Sequence, residues 1–149
     1  MIVERQCQMI TSRFGNRKLK GKANFHKGID LRTWNLKNYT QQNILSPERI
    51  KIIDIWENEK WGQGISFEFL DSNMFDVGVY RHIKIITGVE IGMEFNTGDV
   101  IGQSMTTKYM KRMGFTHHLH FEVHVNCRVV NPILYLDFKK INYKYKWSV

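Results

Sequence analysis

His118-Leu119-His120-Phe121-Glu122-Val123-His124-Val125 alternates without a break. His118, His120, Glu122 and His124 share one parity, and Leu119, Phe121, Val123 and Val125 share the other. Successive side chains of a β-strand point to opposite faces, so this stretch reads as a strand with one apolar, core-directed face. Its other face carries imidazoles and a carboxylate in a row. On a helix the same residues would scatter around the axis. Four of the six histidines fall between His117 and His124, and a histidine-lined strand suits a metal or a proton-transfer site.

The rest of the chain agrees with a β fold. Arg49 to Trp56, Ile65 to Leu70 and Val77 to Ile86 carry strand-like alternation, with Tyr80 and His82 on one parity. Gln6 to Arg13, Lys27 to Thr33 and Val129 to Leu136 read as further extended runs, and Trp34 to Ser46 as a polar surface loop. Lys108 to Met113 is either a helical turn or a basic loop. Many short strands, glycine-bearing turns and little helical periodicity indicate a mostly antiparallel β domain. No repeat or linker divides the 149 residues, so 1–149 reads as one domain. Residues 137–149 form a basic, aromatic C-terminal extension, better suited to an edge strand or docking arm than to nucleic acid.

Composition excludes some classes. No run approaches the ~20 apolar residues of a membrane span. The first residues lack the basic-then-apolar layout of a secretory signal. Cys7 and Cys127 are far apart and in no CxxC pair; they read as unpaired buried thiols or as one long bridge. The net charge of +8 implies an anionic partner: nucleic acid, a membrane surface or an anionic cell wall.

His26-Lys27-Gly28-Ile29-Asp30 supplies a nitrogen and an oxygen four residues apart. On an extended strand these would lie roughly 13 Å apart, too wide for one zinc, so the backbone must bend, and Gly28 tolerates a bend. His26, Asp30 and one histidine of the His118/His120 pair would give three protein ligands. That leaves a fourth position for water, as in catalytic zinc sites. The spare histidine and His82 would serve as acid, base or oxyanion stabiliser.

Several motifs occur in a telling order: Ser12-Arg13-Phe14-Gly15-Asn16-Arg17, Phe25-His26-Lys27-Gly28-Ile29-Asp30-Leu31, Tyr80-Arg81-His82-Ile83, Gly98-Asp99-Val100-Ile101-Gly102, His118-Leu119-His120-Phe121-Glu122-Val123 and Val130-Asn131-Pro132. Together they closely resemble the M23 family of lysostaphin- and LytM-type zinc endopeptidases. The resemblance implies an antiparallel β fold with an open groove across its sheet. It implies zinc bound by His26, Asp30 and His120 and catalytic histidines His82 and His118; Tyr80 and Arg13 are candidate substrate contacts, Arg13 with Arg17 as holders of substrate carboxylates or else as solvated loop charges. It implies hydrolysis of peptide bonds in peptidoglycan stems or cross-bridges, which the positive charge also suits. The alternative is an M23-like module that no longer cuts and serves in a larger assembly.

The chain departs from the family in its loop Ser104 to Phe115, which is long, basic and methionine-rich, and at Trp61-Gly62-Gln63-Gly64. Glu122 and His124 are expected at the surface or the groove wall, His117 as a non-ligand, and Trp34, Tyr39, Trp56 and Trp61 in packing or groove-lining roles. The composition, with neither signal nor pro-segment, raises a phage origin. A lysis enzyme acting on the bacterial wall, or a virion component with tail proteins as partners, is then expected.

Overall fold

A computed structural model describes residues 1–4, 8–33, 41–115 and 117–146. Its strands are, in chain order, β1 Gln8–Ser12, β2 Gly15–Leu19, β3 Lys22–His26, β4 Ile29–Arg32, β5 Asn43–Leu45 and β6 Ile50–Asn58. Then come β7 Gly62–Phe69, β8 Val77–Ile85, β9 Glu94–Phe95, β10 Val100–Ser104, β11 His118–Val125, β12 Arg128–Val130 and β13 Tyr143–Tyr145. Two short helices, α1 Lys108–Arg112 and α2 Pro132–Phe138, complete the fold.

The histidine strand is central. The main sheet runs β13-β1-β4-β11-β8-β7-β6-β9, with β12 paired to β11 and with β10 bridging β8 and β5. Every pairing in it is antiparallel except β1 with β13. β2 and β3 form a separate hairpin. The expectation of a mostly antiparallel β fold holds.

The alternation of β11 sorts as its parity requires. Leu119, Phe121 and Val123 are completely buried, and they meet Ile29 and Leu31 of β4 and Tyr80 of β8 in the core. Each such side chain contributes roughly 1.5–3 kcal/mol by leaving water. α2 closes this face: Tyr135 stacks on Phe69 at 4.7 Å and meets Phe121 edge-on at 5.8 Å.

Register then decides what stands on the other face. His120 lies opposite Asp30 of β4 on one side and opposite Arg81 of β8 on the other. Ser12 of β1 pairs with Asp30, and Gly64 of β7 pairs with Arg81. One row of residues therefore crosses five strands with Asp30 and His120 at its middle.

Three readings need correction. Val129 to Leu136 is not one extended run: Asn131 caps α2 by accepting from the Ile133 amide at 3.1 Å, and Pro132 occupies its first turn. Both are favoured there because proline needs no amide partner and the cap satisfies a free one. Within 41–46 of the expected loop, β5 pairs with β10 and buries Ile44; Trp34 and Tyr39 lie outside the described residues, as do Gln6 and Cys7. Cys127 is exposed, in a tight turn with Asn126 at positive φ, so it is no buried thiol. Lys108 to Met113 resolves as α1, capped by the Thr107 hydroxyl.

Candidate active site

The bend expected between His26 and Asp30 is present. His26 ends β3, Asp30 lies in β4, and Lys27 and Gly28 turn the chain between them. Gly28 does not owe its place to a left-handed backbone, since its φ is not positive. A Cβ built there would fall 2.2 Å from the Phe121 carbonyl oxygen. Only glycine lets this turn lie against β11.

That contact brings three ligand-type atoms together. His26 Nε2 stands 3.1 Å from His120 Nδ1 and 3.2 Å from Asp30 Oδ1, and His120 Nδ1 stands 3.1 Å from the same oxygen. The triangle is nearly equilateral. Ligands about 2.0–2.1 Å from a tetrahedral zinc would be separated by about 3.3 Å, so the triangle matches one face of such a site.

The outward nitrogens fix which atoms face inward. His26 Nδ1 lies 2.7 Å from the Arg13 carbonyl oxygen, and His120 Nε2 lies 2.9 Å from Glu122 Oε1. Both partners are acceptors, so each imidazole donates outward and turns a lone pair toward the Asp30 carboxylate. Three acceptors converging at this distance repel one another unless a cation joins them. The donor set fits a divalent metal such as zinc.

The acceptors also dominate the local protonation. In the metal-free protein a proton takes the place of that cation: burial would raise the Asp30 pKa, but the adjoining His120 and His26 nitrogens, with the charge of His118, hold it well below the usual carboxylate range. Burial would lower His120, yet its bonds to Asp30 and Glu122 raise it.

Glu122, expected at the surface or the groove wall, is not a surface residue, and its role is more specific. It is almost fully buried, its Oε1 accepts from both His120 and Arg81 Nε (3.1 Å), and its Oε2 accepts from His124 Nε2 at 3.0 Å. Burial pushes the carboxyl up, but the bonds from His120 and His124 and the charge of Arg81 outweigh it and hold it at about 2. Arg81 is braced over the Trp56 ring at 5.1 Å, and Gly64 leaves the space that Trp56 fills. The signal for this chain of contacts was present in sequence as a carboxylate two residues from a ligand histidine on one strand face.

His82 reaches the same groove by an irregularity. Its φ is +63°, and the β7 register slips there, with Gly64 opposite Arg81 and Gln63 opposite Ile83. This is a β-bulge, which resets the alternation. Tyr80 and Ile83 are therefore core residues, while Arg81 and His82 both line the groove. The shared parity of Tyr80 and His82 is broken, and Tyr80 does not reach the groove: its hydroxyl donates to the Leu45 carbonyl at 3.1 Å inside the core.

His82 Nδ1 lies 2.8 Å from the Trp61 carbonyl oxygen, to which it donates, leaving Nε2 as the open nitrogen. Burial, then the charge of His118, lowers its pKa to about 4. His118 completes the set, its ring 4.8 Å from that of His82 and its Nε2 3.8 Å from Asp30 Oδ1.

His26, Asp30, His82, His118 and His120 all line one groove of about 680 Å³. Arg13 does not. Its guanidinium lies 4.6 Å over the Tyr145 ring, beside a smaller hollow, while its carbonyl serves His26. The groove's arginine on that side is Arg17, which bonds Ser12 Oγ and Asn24 Oδ1 and stands 3.7 Å from Asp30 Oδ2. Trp61 walls the opposite side with Phe115, edge-on at 5.6 Å, and is backed by Tyr109 of α1 at 5.1 Å. The unusual loop thus builds the aromatic wall. His117 is in no metal-type cluster among the described residues.

The sequence pattern of Peptidase family M23 matches residues 24–132, and the chain belongs to this family. No curated protein matches it in sequence. Among solved structures it is similar to the SpoIIQ–SpoIIIAH pore-forming complex (19% identity, TM-score 0.68, covering 89% of this chain and 86% of that one). It is similar to the catalytic domain of the antimicrobial peptidase lysostaphin from Staphylococcus simulans (20% identity, TM-score 0.62, covering 86% and 91%). It is also similar to a zinc-containing peptidase from Vibrio cholerae, at 26% identity and TM-score 0.65, covering 87% of this chain and 37% of that longer one.

Proposed function

We propose that the chain is a zinc-dependent endopeptidase that hydrolyses peptide bonds in bacterial peptidoglycan stems or cross-bridges. The observation that carries the reading is the 3.1–3.2 Å triangle of His26 Nε2, Asp30 Oδ1 and His120 Nδ1, with His82 and His118 beside it in one groove. Family membership and the likeness to lysostaphin's catalytic domain support it.

His26, Asp30 and His120 would hold the metal; when bound, zinc supplies a Lewis acid for a scissile carbonyl and lowers the pKa of a water. The chain's own groups do the rest. Glu122 and the Arg13 carbonyl keep the ligand nitrogens aimed inward. His82, neutral near pH 7 and with Nδ1–H committed to Trp61, offers Nε2 as a proton acceptor. His118 faces it and would donate to the oxygen that gains charge in the tetrahedral intermediate. Trp61 and Phe115 exclude water from one wall of the groove.

A chain of the SpoIIQ–SpoIIIAH pore-forming complex shares this fold, but a non-cutting module is not the favoured reading. This chain keeps all five chemical groups in one place. The test is zinc content together with turbidity loss of purified cell walls. Loss of turbidity with about one zinc per chain supports the reading, and walls left intact by zinc-loaded protein would remove it.

A further inference from the structure

His82 holds a left-handed backbone, φ +63°, which a residue with a side chain rarely adopts. Such a conformation persists where its surroundings over-determine it. Much of that surrounding comes from one segment, the loop after β10 that departs from the family in sequence.

Met105, the first residue after β10, grips the backbone of His82. Its amide donates to the His82 carbonyl at 3.3 Å. Its side chain packs over Gly62, where an added Cβ would fall 2.8 Å from Met105 Sδ and 3.7 Å from His82 Cα. Gly62 itself has a positive φ of +80°, so this tight approach needs glycine twice over.

Residues 107–115 grip the ring of His82 through Trp61. The Trp61 carbonyl accepts from His82 Nδ1 at 2.8 Å, so the place of that oxygen sets the direction of Nε2. The Thr107 hydroxyl donates to the carbonyl of Lys60, one residue earlier, and accepts from the Met110 amide at 3.1 Å. It thereby pins the start of α1 to the β6–β7 turn. Tyr109 of α1 meets the Trp61 indole edge-on at 5.1 Å, with Lys60 and Arg112 over the tyrosine ring at 5.3 and 5.7 Å. The Phe115 amide returns to the Met110 carbonyl at 2.9 Å, which sets Phe115 against the indole from another side. Trp61 and Phe115 line the groove; Thr107 and Tyr109 stand behind them, outside its described lining.

Resting on the reading of His82 as a proton acceptor, we infer that this loop is the positioning element of the site. Thr107 and Tyr109 act through Trp61: they fix the carbonyl that holds His82 in its Nδ1–H tautomer and so aim Nε2 into the groove. Which ring nitrogen carries the proton follows the bond that the other makes. A carbonyl presented loosely leaves the ring free to turn and to change tautomer.

The test combines nitrogen NMR of histidine-labelled, zinc-loaded full chain at neutral pH with steady-state kinetics on a peptidoglycan peptide. His82→Asn identifies the His82 signals. The unsubstituted chain should show one His82 species, protonated at Nδ1. Thr107→Val and Tyr109→Leu should each give a mixture of tautomers and keep zinc. Each should lower kcat about 10- to 100-fold and leave KM nearly unchanged, because a mis-aimed base acts on the chemical step, whereas a displaced groove wall would act on KM. Thr107→Ser and Tyr109→Phe, which keep the hydroxyl and the ring, should behave as the unsubstituted chain does. An undisturbed His82 signal in both Thr107→Val and Tyr109→Leu, a loss carried by KM, an undiminished kcat, or Ser and Phe variants no better than Val and Leu would each overturn the inference. Wall hydrolysis by the unsubstituted chain is scored apart. A His82 tautomer that loosens as expected in a chain that cuts no wall removes the peptidase reading alone. Hydrolysis with His82 undisturbed in both variants removes this inference alone.

Discussion

Gly28 and Phe121 approach so closely that a side chain at the first would fall 2.2 Å from the carbonyl oxygen of the second. The contact holds the His26–Asp30 turn against the strand that bears His118 and His120. Gly28→Ala should therefore separate the two halves of the site. The expected cost is about 3 kcal/mol or more, the upper end of overpacking, because the clashing atom is backbone. A lowered denaturation midpoint together with weakened zinc binding would agree; a variant of ordinary stability and zinc content would not.

The ligand and catalytic histidines should separate in a metal assay. His120→Ala is expected to lose both zinc and activity, because it opens the triangle. His118→Ala is expected to keep zinc and lose about 10²–10⁴-fold in rate, the usual contribution of a proton-transfer group. Equal zinc loss in the two variants would show that the roles are wrongly divided.

Glu122→Gln tests the group that aims His120. Its Oε1 accepts from His120 and Arg81 while its Oε2 accepts from His124, and a carboxamide cannot accept at both of its positions. Zinc affinity should fall about 10- to 100-fold in chelator competition. Unchanged affinity would mean that His120 needs no such support.

His82 should impose a pH dependence on metal-stripped protein. Its folded pKa, about 4, is depressed from 6.5, so the unfolded chain takes up its proton first on acidification. The contribution to stability is present above pH 6.5 and is lost as pH falls from 6.5 towards 4. His82→Asn, chosen because asparagine tolerates positive φ, should flatten the stability slope in that window. An unaltered slope would contradict the assignment.

Much of this site was legible in the chain because it rests on local periodicity. Leu119, Phe121 and Val123 are buried where alternation put them, and the need for a bend between His26 and Asp30 followed from strand dimensions alone. What parity could not show was the bulge at His82. One extra residue reverses every side chain beyond it, so Tyr80 went to the core and Arg81 joined the groove. The reason for Gly28 was likewise hidden, since it depends on a strand more than ninety residues away. Asn131-Pro132 was a readable helix start that the apolar run after it disguised. The tail's basic and aromatic alternation marked an edge strand, but only the parallel pairing with β1 shows that it carries Lys146 to the groove.

The central claim is that this groove cuts peptidoglycan peptides, and mass spectrometry of muropeptides tests it most directly. Purified walls treated with zinc-loaded protein should yield fragments with new peptide termini at one type of bond, and none with His118→Ala. Unchanged muropeptides after treatment with the zinc-loaded, unsubstituted chain would contradict the account.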